Sequence, residues 1–142
     1  MKFIDQMKDA EQKLISMGHE VKRPEIEVSE SWIADWVRLD NVIWNESKFS
    51  NEIKREAVIH KWRAIQNHYK KIKWSEAILV INEPKNWIDW YIWWNTLMEI
   101  GVAFYDNKKI FILHSIWNMS YTSEILWCDP VILSDNLFWI TS

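Results

Sequence analysis

Any chemistry in this 142-residue chain would rest on Glu99. It opens the tripeptide Glu99-Ile100-Gly101, one turn into an amphipathic stretch, NTLMEIGVAF, that follows a polar and aromatic loop. A carboxylate so placed can serve a site, and on position alone it is also the acid that a helix dipole favours in a first turn. Asn95 and Thr96 precede the helix and either cap it or donate to ligand hydroxyls or phosphate. Asn82 closes the apolar run AILVIN, where a ligand would sit or a turn would begin. Asp89 lies in the intervening loop, the nearest second carboxylate. Ser120 and Tyr121 fall in a later loop that could contact a phosphate or base, or form ordinary surface. His114 ends the run KIFILH, a ligand contact or a structural imidazole. His60 and His68 stand eight apart with no Cys or His pair at ligand spacing, so no metal site is expected. Walker and nucleophilic Ser or Cys signatures are absent, and no cofactor is implied.

The loop before Glu99 reads KNWIDWYIWWNT, with four tryptophans in eight residues. The whole chain holds 12 Trp and only 2 Gly. Ordinary usage near 7% predicts about 10 glycines in this length. Backbone that must take positive φ or approach a ligand closely needs Gly, and Trp does neither job cheaply. Two readings stay open. Either UGA codons read as glycine in the source organism are rendered as tryptophan, or the loop is a genuine aromatic platform that stacks bases or sugars. A UGG codon makes the tryptophan at its position genuine.

The elements that must position these residues follow from periodicity. Phe3, Ile4, Met7, Ala10, Leu14 and Met17 recur at helical spacing, with Gly18 as C-cap. His19 to Arg23 reads as a short strand stopped by Pro24, and residues 25–49 read as acidic, irregular loop. A long helix carries the stripe Ile53, Ala57, Val58, Trp62, Ile65, Tyr69 and Ile72, with Ser50 as N-cap and Trp62 placed for the core. Ala77 to Asn82 is a buried parallel strand, Thr96 to Asp106 a helix, and Lys109 to His114 a second buried strand. A short helix over Tyr121 to Leu126 and a strand over Val131 to Leu133 complete the alternation. Strand and helix alternating in this way predict an α/β fold with a parallel sheet. Ligands of such sheets bind at the carboxyl ends of the strands.

The bulk numbers narrow the partners. The length suits a single domain spanning residues 1–142. A net charge of −3 and a pI near 5.8 give no pull toward a nucleic-acid polymer or an anionic membrane. Lys70, Lys71 and Lys73 read as a solvated helix end. One cysteine, Cys128, excludes an internal disulfide and fits a reducing compartment. No apolar run approaches a membrane span and the first 17 residues carry acids that a signal peptide avoids, so the expected address is cytoplasmic.

From Ile65 to Leu133 the order AILVIN, loop, NTLMEIGVAF, KKIFIL, loop, MSYTSEI resembles the nucleoside 2-deoxyribosyltransferase-like superfamily, with a weaker likeness over the first helix and HEV. The resemblance implies a Rossmann-like or flavodoxin-like parallel sheet with helices on both faces. Members carry a Gly-rich loop of the form GYIGGNT before the helix, so Trp90, Trp93 and Trp94 fall where glycine is usual. Members also begin with a strand before the segment similar to MKFIDQM, so the first strand of the sheet is expected to be missing here. The resemblance makes Glu99 the nucleophile that attacks the anomeric carbon of a deoxyribosyl group. Asn82, Asp89, Trp93, Trp94, Asn95, Thr96 and Ser120 would line the substrate. The implied partner is a small-molecule nucleoside or nucleotide, and a homo-oligomer is left open. Transferases of this type usually carry an acid six positions before the nucleophile, where this chain has Trp93, and an Asp near the position of His68. Those departures leave two functions to weigh: N-glycosidic cleavage or transfer, and noncatalytic nucleotide sensing.

Overall fold

A computed structural model describes residues 2–24, 51–85 and 88–140. Two compact units emerge, one of residues 24–70 and one of residues 1–23 with 71–142. The described elements are α1 (Lys2–Ser16), α2 (Asn51–Trp74), β1 (Ala77–Val80), β2 (Glu83–Lys85), β3 (Ile88–Tyr91), α3 (Trp94–Tyr105), β4 (Lys109–Ile112), α4 (Thr122–Trp127), β5 (Val131–Ile132) and a 3-10 turn (Leu137–Trp139). The expected irregular segment of residues 25–49 and the expected cap at Ser50 lie outside the described residues.

Within residues 24–70 the described chain is the body of α2. Ile65 and Tyr69 of its apolar stripe are half-buried, whereas Val58 and Trp62 are exposed. Trp62 is therefore not the core residue that periodicity suggests. The side chains of Ile53 and Ala57 lie outside the described residues.

The other unit is built on a three-stranded parallel sheet of order β1-β4-β5. Ala77 to Val80 pair with Lys109 to Ile112, and Phe111 and Ile112 pair with Val131 and Ile132. The ladder runs on before β1 and after β4, through Lys109 N–H to Glu76 and Leu113 N–H to Val80. Alternation sorts the strands' side chains. Phe111, Leu113 and Leu133 form one cluster with Ala10 of α1 and Leu137, and Ala77, Leu79, Ile81 and Met17 pack against it. Val80, Ile110 and Ile112 point the opposite way along the same strands. Helix α3 contacts β1 and β4, and its Ile100 and Ala103 are fully buried.

Helix ends are set by backbone chemistry. After α1, Gly18 N–H bonds Ile15 and His19 N–H bonds Leu14, the paired closure of a Schellman motif with Gly18 at φ +93°. Helix α3 closes in the same way, Asn107 N–H on Phe104 and Lys108 N–H on Ala103, with Asn107 at φ +55°. Asn tolerates that region better than most residues, which suits it to the position.

Two expectations fail here. Residues 19–24 form no strand. Val21 is the only aliphatic in HEVKR, and charge anchors the segment instead. Arg23 pairs with Glu11 at 3.0 Å, Lys71 Nζ donates to the Arg23 carbonyl, and Lys22 Nζ lies 3.3 Å from the centre of the Trp74 ring. The tryptophan-rich stretch, expected as loop, contributes a strand: β2 and β3 pair antiparallel, Glu83 with Tyr91 and Lys85 with Ile88, with an irregularity between. Ile88, Trp90, Tyr91 and Ile92 have the propensity for it.

Gly18 offers a clean check on the α1 closure, because an added Cβ meets nothing within 4 Å and only the backbone conformation resists substitution. Gly18→Ala should lower stability by about 1–2 kcal/mol, read by urea unfolding.

Candidate functional site

Asn82 stands two residues beyond β1, at the carboxyl end of the sheet, and is 1% exposed. Its Nδ2 donates to the carbonyls of Ser115 at 3.0 Å and of His114 and Trp90 at 3.3 Å. Its Oδ1 accepts the His114 N–H at 2.9 Å. One carboxamide thus ties the end of β1 to the end of β4 and to β3. Expected as a ligand contact, Asn82 has its polar atoms engaged with backbone, and its role in this geometry is to position the segments around it.

Tyr121 makes the second tie. It is buried, its hydroxyl donates to the Ile92 carbonyl, and Trp94 lies against its ring at 4.5 Å. Burial, with the neighbouring Tyr91 hydroxyl adding to it, pushes the Tyr121 phenol well above its ordinary value. The start of α4 is thereby fixed to the turn between β3 and α3. Nothing in the spacing of Tyr91 and Tyr121, 30 positions apart in sequence, signals that they meet.

Helix α3 therefore begins at the carboxyl ends of β1 and β4, and Glu99 is the sixth residue along it, half-buried. The helix starts two residues earlier than periodicity suggests, at Trp94, with Trp93 as N-cap and no side-chain capping bond. Asn95 and Thr96 thus lie inside the first turn, Asn95 exposed and Thr96 half-buried, and neither is the N-cap. Trp93 and Trp94 are exposed, and Trp93 meets Tyr91 edge to face at 5.7 Å. Trp90 is half-buried and its ring lies 4.0 Å from that of His114. Ser120 is exposed. Asp89 belongs to β3 by its backbone, and its side chain lies outside the described residues. Gly101, the last residue of the tripeptide, has no atom within 4 Å of an added Cβ.

The geometry gathers Asn82, Trp90, His114 and Ser115 at one end of the sheet, beside the start of the helix that carries Glu99. Among the described residues no group of His, Cys, Asp and Glu is arranged to hold a metal ion, and no helix is long and apolar enough to cross a membrane. No family model, curated protein or solved structure matches the chain.

The two ties predict measurable losses. Asn82→Leu removes a group with four backbone partners and should destabilise the protein by about 3 kcal/mol or more, the scale of leaving buried polar groups unmatched. Tyr121 predicts an alkaline limit. Its folded-state value lies above the unfolded value, so its contribution is intact below about pH 10 and is lost as the unfolded phenol ionises above it. Urea midpoints should fall on going from about pH 8 to about pH 11, and Tyr121→Phe should flatten that fall.

Proposed function

We propose that this chain is a nucleoside 2-deoxyribosyltransferase-like protein that cleaves or transfers at the N-glycosidic bond of a deoxynucleoside or its monophosphate, with Glu99 as nucleophile. The observation that carries the reading is the convergence at Asn82. It brings the carboxyl ends of two parallel strands beside the amino end of α3, the helix bearing Glu99. In open α/β sheets ligands bind at that end. The strand order β1-β4-β5, with α1 packed on one side of the strands and α3 contacting β1 and β4, is compatible with a Rossmann-like sheet covered on both faces.

In this reading a carboxylate oxygen of Glu99 bonds to the anomeric carbon as the carbon–nitrogen bond breaks. The electron pair leaves with the base, which takes a proton from water. An acceptor base or water then displaces the carboxylate and releases the sugar. A carboxylate suits the step because the transition state resembles an oxocarbenium ion, which adjacent negative charge stabilises.

A second reading, a noncatalytic nucleotide-sensing module, draws on two observations. Trp93 stands six residues before Glu99, where the resembled transferases carry an acid. The side chain of Asn82 is engaged with backbone, which leaves it to position the site rather than to contact substrate. Fold alone does not decide between the two.

The test uses a panel of deoxynucleosides and their monophosphates, with and without an acceptor base, and follows free or exchanged base. Both the chain as it stands and a form carrying Trp90→Gly, Trp93→Gly and Trp94→Gly are assayed. Base release should fall about a hundredfold or more in Glu99→Gln, which keeps the shape of the side chain and removes the anion. An unchanged rate removes Glu99 as nucleophile. Ligand binding without base release across the panel assigns the sensing module.

A further inference from the structure

We infer that Trp90, Trp93 and Trp94 are glycines in the protein its native cell makes, their codons being UGA assigned to glycine. The inference rests on composition, backbone and burial, and is independent of the catalytic reading of Glu99.

Backbone carries it furthest at Trp90. This residue sits at φ +56°, in the left-handed region, within β3. Among the described residues the others with positive φ are Gly18, Asn107, Asp129, Ser134 and Asp135, all small or able to bond their own backbone. A bulky aromatic there is an outlier, whereas glycine takes the conformation without steric penalty.

Burial agrees. Trp32, Trp36, Trp44 and Trp87 lie outside the described residues, and not one of the eight other tryptophans is buried. Seven of these eight are exposed, from 47% at Trp74 to 76% at Trp127. A tryptophan that evolved with a fold buries much of its large apolar surface. Most of the described ones stand at element ends or in connections, where glycine costs less than inside a helix. Trp93 is the N-cap of α3, Trp94 its first residue, Trp74 and Trp127 end α2 and α4, and Trp117 lies in a connection. Trp139 ends the 3-10 turn, and Trp62, inside α2, is the exception to that placement. The chain that carries these exposed indoles has only 2 glycines, where ordinary usage predicts about 10.

The deciding experiment is peptide mass spectrometry of the protein from its native cell, reading the tryptic fragment between Lys85 and Lys108. That single fragment covers all three positions. Glycine at 90, 93 and 94 is the expected result. Tryptophan at these positions overturns the inference and assigns the exposed indoles to a genuine aromatic surface. A second measurement isolates the backbone argument in recombinant protein by comparing Trp90→Gly with Trp90→Ala. Both remove the indole, but only glycine lacks the Cβ that opposes positive φ. Trp90→Gly should melt about 4 °C above Trp90→Ala. Equal melting of the two variants overturns the claim that position 90 requires glycine.

Discussion

The organisation of the candidate site depends on the side chain of Asn82. Where a strand leaves its ladder, its backbone groups lose their regular partners, and buried ones must find others. At this end of the sheet one carboxamide supplies them, donating toward three carbonyls and accepting one N–H. The partners belong to β3 and to the segment after β4, eight and more than thirty positions away. Asp would lack the donors that face the carbonyls, and Leu would lack both functions. The arrangement is thus specific to an amide, and it explains why a polar residue is almost wholly buried where the strand ends.

The central elements were legible because their signals are local. Continuous apolar runs marked β1 and β4, a 3.6-residue stripe marked α1, and Gly18 marked its end. Strand ends ran two residues long, since Asn82 and Leu113 are buried and Ile81 and His114 half-buried beyond the last residues of β1 and β4, and the runs look like strand in composition. The reading of HEVKR failed for a different reason. Its short alternation resembles a strand, but its anchors are Glu11, Lys71 and Trp74, and distant partners leave no mark in a local pattern. The β2–β3 hairpin was hidden by its composition, because Asn, Asp and clustered indoles read as loop.

The site was legible in outline and not in roles. Its place followed from the parallel alternation of strands and helices, which puts ligand chemistry at one end of the sheet. Position could not separate a residue that meets a ligand from one that holds other residues in place. Asn82 and Tyr121 both looked like candidate contacts, yet each is bonded to backbone that shapes the approach to α3. Hydrogen-bond partners distinguish the two roles, and partners thirty residues apart are supplied only by the fold.

The same carboxamide bears on the strain at position 90. Asn82 bonds to the carbonyl of Trp90, so it is the backbone there, and not the indole, that takes part in the tie. The carbonyl must face the buried amide while the chain pairs with β2 on one side and turns into α3 on the other. Satisfying all three leaves residue 90 in the left-handed region, a conformation set by its neighbours and opposed by its own side chain. The indole lies against the ring of His114, a residue whose backbone N–H and carbonyl are themselves bonded to Asn82. A residue without Cβ satisfies the same tie without that opposition. The polar network at the end of β1 and the shortage of glycine in the sequence are thus linked, because the first imposes a backbone conformation that the second denies.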